Sequence, residues 1–332
     1  MGTGPKGQAT PVLPGDDPRA IERAAAVLRR GGLVAFPTET VYGLGADALD
    51  PAAIARVFAA KARPADNPLI VHVADVVAAR GLVREFPAVA EQASALWPGP
   101  LTLVLRRDVR VPDATTAGQD TVALRVPDHP VALALLRACG VPLAAPSANR
   151  SGGPSPTLAS HVLADLDGRI DLILDGGPTR HGLESTVLDL TGARPLLLRR
   201  GAVTLEALRA LLGEVDGVAD DDAAARARSP GLRHRHYAPR ATVELVCEGT
   251  GERAVARALA AGEKVALVCR REVHSAAIVE RLPDGLPEFA RALFASLRAL
   301  DAAGVDRIVV EAVPEEGIGA AIMDRLRRAA AG

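Results

Sequence analysis

The sequence predicts a two-domain α/β protein in which each domain is an open sheet with helices packed against it. The chain has 332 residues, and domains average about 150 residues. Short apolar runs bounded by Gly and Pro alternate with stretches of helical periodicity, which is typical of α/β sheets. A charged, Pro- and Gly-punctuated segment over 213–240 interrupts this alternation. It therefore divides the chain into two domains.

The first domain opens with a helix over 21–30, which Gly31 and Gly32 end. A buried strand over 33–36 follows, and Asp50 with Pro51 forms the cap and first turn of a helix that runs to about Lys61. Val131 to Ala138 is a further helix. The remaining apolar runs predict strands at 69–73, 101–105, 122–126, 141–144, 170–174, 187–190 and 195–198.

The second domain is smaller and repeats the alternation in a doubly wound arrangement. Its predicted strands are 243–247, 264–269 and 305–311, and its predicted helices are 252–261, 287–303 and 318–330. The predicted organisation is a flexible leader over 1–18, a first domain over 19–212, a linker over 213–240 and a second domain over 241–332.

Composition excludes several classes of protein. The net charge of −1 argues against binding driven by phosphate neutralisation along a nucleic acid, and an aromatic content of 2% argues against stacked bases on an aromatic platform. No apolar run reaches the roughly 18–20 residues of a membrane span. The 3 cysteines are odd in number and far apart, which fits a reducing compartment. We therefore expect a soluble, cytoplasmic protein that does not contact membranes.

Three polar loops, each close to a predicted strand, are candidates for chemistry. In the first, over 36–45, Thr38 and Thr40 supply hydroxyls, and Gly43 lets the backbone approach a ligand. A tight connecting loop explains this segment equally well. If all three loops follow strands of one sheet, they converge on one edge, where ligands of open α/β sheets bind.

The second loop carries Lys61 and Arg63, two cations able to clamp a polyphosphate from different directions. Taken alone, cations that offset the dipole of a helix C-terminus are the better interpretation. The third loop follows the strand over 141–144 and offers the hydroxyl of Ser147 and the amide of Asn149 to a phosphate or ribose. A surface turn would look similar. His72 lies on an apolar strand, where a core histidine is more common than a site residue.

The sequence lacks the motifs that are typical of several enzyme classes. The sequence contains no Gly-x-x-x-x-Gly-Lys-[Ser/Thr] phosphate loop, no Cys-x-x-Cys pair and no Gly-x-Ser-x-Gly elbow. Use of ATP would therefore need another phosphate cradle, and neither a zinc site nor an acyl hydrolase is indicated.

Taken together, the loops resemble a known family. The segment 36–45, the pairing of Lys61-Ala62-Arg63 with Ser147-Ala148-Asn149, and Ser229-Pro230-Gly231 with His236-Tyr237-Ala238-Pro239 resemble the long, two-domain form of the threonylcarbamoyl-AMP synthases. The resemblance covers about residues 19–330. It implies a YrdC-like open twisted sheet with flanking helices, followed by a smaller Rossmann-like α/β Sua5 domain. It also implies that the linker over 213–240 acts as a lid.

The resemblance further implies a nucleotidyltransferase that condenses L-threonine, bicarbonate and ATP to threonylcarbamoyl-AMP and pyrophosphate, with Mg²⁺ carried by ATP and no metal bound by the protein. The product would serve N6-threonylcarbamoyladenosine formation in tRNA. Expected partners are downstream tRNA threonylcarbamoyl-transfer proteins, with weak or indirect contact to tRNA itself.

By the same resemblance, the catalytic residues are Lys61 and Arg63. The residues expected to bind ATP are Lys61, Arg63, Asn67, Thr121, Ser147, Asn149, Ser155, Arg199 and Tyr237. The residues expected to bind L-threonine are Thr40, His72, Arg125, Ala145 through its backbone, and Ser185. Among the threonine ligands, Arg125 is the best supported physically, because its planar guanidinium matches a carboxylate.

Three other functions remain open on the sequence alone. A YrdC-like module that binds RNA without making an adenylate is the main alternative. A carbamoyltransferase of the hydrogenase-maturation type would carry zinc-finger cysteines, which this chain lacks. A non-catalytic nucleotide sensor is disfavoured by the intact Lys61, Arg63, Ser147 and Asn149.

Overall fold

The computed structural model describes residues 9–217, 228–229, 237–273, 275 and 277–331. They divide into two compact units. The first comprises the described residues of 9–151, 156–179 and 184–229, and the second those of 152–155, 180–183 and 237–331. No described helix combines the length and the apolar character needed to cross a membrane.

Ten strands form the sheet of the first unit, in the order β1-β8-β2-β3-β7-β4-β6-β5-β9-β10. They are β1 (Val12–Pro14), β2 (Val34–Phe36), β3 (Gly43–Asp47), β4 (Ile70–His72), β5 (Leu101–Arg106), β6 (Thr121–Arg125), β7 (Leu143–Ala144), β8 (Leu172–Asp175), β9 (Thr186–Asp189) and β10 (Leu196–Arg199). The sheet is mixed: β4 runs parallel to β6, for example, whereas β5 and β7 are antiparallel to their neighbours β6 and β4.

The helices of the first unit begin where the sequence offers caps. Asp17 and Asp50 each accept a backbone N–H bond at a helix start and are followed by proline, so the cap predicted at Asp50 is confirmed. The helices are α1 (Pro18–Arg29), α2 (Pro51–Lys61), α3 (Val76–Arg80), α4 (Ala88–Ala93), α5 (Asp113–Thr116), α6 (Pro130–Cys139), α7 (Ala159–Leu166) and α8 (Leu205–Leu212), with a 3-10 turn over Ser94–Leu96.

The core of the first unit leaves part of one sheet face to polar groups. On one face, residues of α2, α4, α7 and α8 pack in a large apolar cluster. On the other, α1 and α6 cover the end of the sheet that contains β2 and β8. Further along this second face, the apolar cluster shrinks to five buried residues: Ile70, Val104, Ala123, Val187 and Leu198. His72 and Arg125 lie on the same face as Ile70 and Ala123, because side chains alternate along a strand.

Two strands of this sheet were not predicted. Val12–Pro14, placed in the flexible leader, pairs in parallel with β8, and nearby Thr10 is buried and bonded to Ile170. The leader prediction is therefore wrong for these residues, since they are ordered by a strand about 160 positions away. Gly43–Asp47 was assigned to a loop. Its glycines permit close packing, and a Cβ at Gly45 would lie 2.8 Å from the Phe36 ring.

The second unit contains a parallel sheet in the order β11-β14-β12-β13. Its strands are β11 (Thr242–Val246), β12 (Val265–Cys269), β13 (Ile278–Arg281) and β14 (Arg307–Glu311), and its helices are α9 (Gly251–Ala260), α10 (Leu286–Ala302) and α11 (Ile318–Ala330). The three predicted strands are confirmed. β13 was missed because it is a short edge strand with few apolar residues.

Candidate functional site

Lys61, the last residue of α2, joins the second and third polar loops. Ala62 adopts the left-handed conformation (φ 51°) and ends the helix, so the chain turns directly after the lysine. The Lys61 ammonium donates to the carbonyl oxygens of Ser147 and Asn149, both at 2.5 Å. It is also 3.4 Å from Asn149 Oδ1, which accepts from the Ser147 hydroxyl at 2.5 Å. The lysine is buried (1% exposed), so its charge acts in a poorly screened environment.

The first polar loop lies against the third. Leu44 N–H donates to the carbonyl of Pro146 at 2.7 Å, and Ala148 N–H donates to the carbonyl of Tyr42 at 2.8 Å. Gly43 and Ser147 form an isolated antiparallel bridge. The predicted convergence of the three loops is therefore confirmed, and backbone hydrogen bonds hold them in place.

Arg63 is half-buried and tied to its own loop. Its Nη2 donates to the carbonyl oxygens of Asn67 and Pro68 at 3.4 and 3.3 Å. Asn67 is buried in the same turn. Because these contacts are long, the guanidinium can exchange them for stronger, charge-assisted bonds to a phosphate.

Arg125 ends β6 and gathers the residues predicted to bind threonine. Its Nη2 donates to Thr40 Oγ1 at 2.9 Å, and its Nε donates to the carbonyl of Gly99 at 3.3 Å. His72 is its register partner on β4, and Ala145 N–H donates to the carbonyl of Ile70, two residues before His72. The structure thus brings Thr40, His72, Arg125 and Ala145 to one place on the sheet.

Glu39 is a site residue that sequence reasoning missed. Its Oε2 lies 2.7 Å from Arg125 Nη2, and both side chains are buried, at 1% and 4% exposure. Thr38 Oγ1 lies 2.8 Å from Thr40 Oγ1 and accepts from the amides of Thr40 and Val41, which fixes this turn. The carboxylate was visible between two threonines, but nothing in the sequence showed that it faces Arg125.

Burial keeps His72 neutral. Loss of solvent, helped by the nearby Arg125 charge, lowers its pKa to about 3. Its ring meets the edge of the Phe36 ring, with centroids 6.2 Å apart. A neutral imidazole can donate one hydrogen bond and accept another beside the Arg125 charge.

This neutral histidine predicts a pH dependence of stability. The folded-state pKa lies below the ordinary value of 6.5, so the unfolded chain binds more protons between these values and the free energy of unfolding falls as pH falls through about 6.5. From about pH 7 to about pH 5 the loss from this group is about 2 kcal/mol. Denaturant unfolding at both pH values should show a correspondingly smaller loss for His72→Gln. Equal losses in the two proteins would contradict the assignment.

Ser185, Arg199 and Thr102 form a further polar cluster. Arg199 donates from Nε to the Ser185 carbonyl at 3.0 Å and from Nη2 to Ser185 Oγ at 3.1 Å. Thr102 Oγ1 is 2.8 Å from the same hydroxyl. A residue predicted to bind threonine and one predicted to bind ATP are thus in contact. Thr121 begins β6 on the same face as Arg125, four residues or roughly 13 Å away along the strand.

Comparisons with known proteins identify the family. The family model described as "Telomere recombination", which covers Sua5, YciO and YrdC, matches residues 26–201. The model described as "Threonylcarbamoyl-AMP synthase, C-terminal domain" matches residues 203–331. The chain belongs to the Sua5/YrdC family.

Full-length relatives agree with this assignment. The chain is 48% identical to the threonylcarbamoyl-AMP synthase of Pyrococcus abyssi, with 93% of each chain covered, and 45% identical to that of Bacillus subtilis, covering 97% of this chain and 96% of the relative. The solved structure of P. abyssi Sua5 complexed with L-threonine superposes with a TM-score of 0.92 at 46% identity, covering 97% of both chains. The long, two-domain Sua5 form predicted from the motifs is confirmed.

Two predicted ATP ligands of this Sua5/YrdC chain lie in the second unit. Ser155 is buried there. Tyr237 has a left-handed backbone (φ 68°), stacks on Phe294 with ring centroids 5.4 Å apart, and has the Arg325 guanidinium 5.3 Å from its ring centre. Their roles in ATP binding stay predictions. Most of the predicted lid over 213–240, including residues 218–227 and 230–236, lies outside the described residues.

Proposed function

We propose that this chain condenses L-threonine, bicarbonate and ATP to L-threonylcarbamoyl-AMP and pyrophosphate. The observation that carries the proposal is the buried ammonium of Lys61, held by two carbonyls of the Ser147–Asn149 loop. That loop follows β7, which lies in the same sheet as β6 and its Arg125. The solved structure of a relative bound to L-threonine supports this amino acid as substrate. The full-length relatives named threonylcarbamoyl-AMP synthase support the product.

The chemistry needs little covalent help from the protein. The amino group of threonine and bicarbonate form an N-carboxylate, whose oxygen attacks the α-phosphorus of ATP while the bond to pyrophosphate breaks. Negative charge accumulates on the phosphate oxygens, so positioning and charge neutralisation supply most of the rate. We assign this neutralisation to Lys61 and Arg63, with Ser147, Asn149 and Asn67 orienting the nucleotide.

The cluster around Arg125, which includes Thr40 and His72, suits an amino acid. Arg125 presents a planar guanidinium to the carboxylate, and Thr40 with neutral His72 offers uncharged partners for the remaining polar groups. Ser185 lies against Arg199, and we assign this pair to the boundary between the threonine and ATP subsites. Thr121 and Arg199 complete the assignment on the nucleotide side.

Mg²⁺ enters this proposal as part of the substrate. Among the described residues, no group of three or more His, Cys, Asp or Glu side chains is placed to hold a metal ion. Mg²⁺ binds readily to nucleotide phosphates while keeping several waters. The product is a mixed anhydride sensitive to water, and we propose that it supplies the threonylcarbamoyl group of N6-threonylcarbamoyladenosine through downstream transfer proteins.

Pyrophosphate release tests the proposed reaction. We expect the purified chain to release pyrophosphate from MgATP only when threonine and bicarbonate are both present, because the attacking N-carboxylate needs both. Omitting either substrate is the internal control. RNA binding without pyrophosphate release would contradict the proposal and favour the RNA-binding alternative.

A further inference from the structure

Glu39 is a buried carboxylate with an unsatisfied oxygen. Its side chain is 1% exposed, and Oε1 has no hydrogen-bond partner among residues 9–217, 228–229, 237–273, 275 and 277–331. A carboxylate removed from water normally gains several donors in compensation. This oxygen therefore indicates a ligand that brings a donor.

Arg125, which lies beside Glu39, has a hydrogen-bond donor to spare. Arg125 spends Nη2 on Glu39 and Thr40 and Nε on the Gly99 carbonyl. Across the part of the chain that the structure describes, no hydrogen bond is formed by its Nη1. The buried pair thus offers one acceptor oxygen, Glu39 Oε1, and one donor nitrogen, Arg125 Nη1, to a ligand.

The charges around the pair indicate which class of ligand it can bind. Glu39 and Arg125 cancel one another, and His72, packed on the neighbouring strand, is neutral. A bound anion or cation would leave a net buried charge, which is costly. A zwitterion leaves none, because its carboxylate faces Arg125 and its ammonium faces Glu39. The ion pair therefore favours an α-amino acid in its zwitterionic form.

We propose that Glu39 binds the α-ammonium group of L-threonine and accepts its proton, which makes it a catalytic residue for formation of the N-carboxylate. This inference rests on the proposed function and deepens it. No solvent base is then needed inside a buried site. Glu39 also explains how an amine that is protonated in water becomes a nucleophile.

The proposed steps balance. First, R–NH₃⁺ and the Glu39 carboxylate give R–NH₂ and the Glu39 carboxylic acid. The nitrogen lone pair then attacks the carbon of HCO₃⁻, the C–OH bond breaks, and the departing hydroxide takes a proton from nitrogen and leaves as water. The products are R–NH–COO⁻ and H₂O, and the Glu39 proton is finally released to solvent.

The contact between Glu39 and the amino group of threonine is tested by removing each group in turn, the first by substitution and the second by a change of ligand. We expect Glu39→Gln to weaken binding of threonine by about 10- to 100-fold, the usual size of a charge-assisted hydrogen bond, measured by calorimetry on the full chain. Binding of 3-hydroxybutanoate, which is threonine without its amino group, should be weak in the wild type and should not weaken further in the variant, because the Arg125 charge that Glu39 no longer balances still attracts its carboxylate. Asp189→Asn, which removes another buried carboxylate from an ion pair, is the matched control and should leave both affinities unchanged.

The possible outcomes separate the hypotheses. Equal weakening of threonine and 3-hydroxybutanoate would mean that Glu39 only shapes the pocket, and unchanged threonine binding would exclude the contact; either result overturns the proposal for Glu39. Failure of the wild-type chain to bind threonine would instead overturn the proposed function.

The pH profile tests the proton transfer. Glutamine cannot accept a proton, so the rate of Glu39→Gln should recover towards that of the wild type as pH rises and free threonine loses its proton. A purely structural role would lower the rate by the same factor at every pH. A constant ratio between the two profiles would therefore contradict a proton-accepting role.

Discussion

Replacing Lys61 with methionine is expected to lower kcat/KM for adenylate formation by about 10³-fold, the cost of removing one preorganised charged donor from a buried site. Lys61 is 1% exposed and its ammonium is held by the carbonyls of Ser147 and Asn149, so the charge needs little reorganisation to meet the charge that develops on the phosphates. Methionine preserves the length of the chain and much of its packing. Initial-rate measurements of pyrophosphate release check this prediction.

The control for Lys61→Met is Lys264→Met, which removes an exposed lysine from the second unit. We expect that variant to retain wild-type rates. Threonine affinity should also survive in Lys61→Met, because Arg125 and Glu39 remain in place. A Lys61→Met protein with near wild-type turnover would show that the proposed phosphate clamp is wrong.

Replacing Arg125 with methionine is expected to have two large effects. The variant leaves the Glu39 charge buried without its partner, which costs about 3–5 kcal/mol of unfolding free energy. It also removes the guanidinium that we assign to the threonine carboxylate, so threonine affinity should fall by more than about 100-fold. Denaturant titration measures the first effect and calorimetry the second.

The double variant Glu39→Gln/Arg125→Met separates stability from binding. Once neither charge is buried, most of the lost unfolding free energy should return, whereas threonine binding should stay absent. Threonine binding restored together with stability would show that Arg125 acts through the fold alone.

Features encoded locally were predictable from the sequence. The aspartate–proline pairs at Asp17 and Asp50 both begin helices, because the aspartate caps the first turn and the proline needs no hydrogen bond there. The pairing of Lys61 with Ser147 and Asn149 was expected from the family resemblance, because Lys61 ends a helix and the rule for loops that follow strands applies only to the Ser147–Asn149 loop. The motifs in these loops identified that family.

Features that depend on distant partners were not predictable in this way. Val12–Pro14 is a strand only because β8 lies beside it, and three residues with a proline carry too little pattern to show it. Glu39 carries a charge typical of a loop surface, and its burial against Arg125 became visible only when the segment between β2 and β3 was placed beside the end of β6. A residue's role in such a site depends on its neighbours in space, which a single sequence does not display.

Mass spectrometry of the reaction product tests the central claim most directly. The chain is incubated with MgATP, threonine and isotope-labelled bicarbonate, and the nucleotide products are separated at once. We predict an adenylate that contains threonine and the labelled carbon, formed together with pyrophosphate. An adenylate without the label, or AMP and pyrophosphate formed without threonine, would contradict the account.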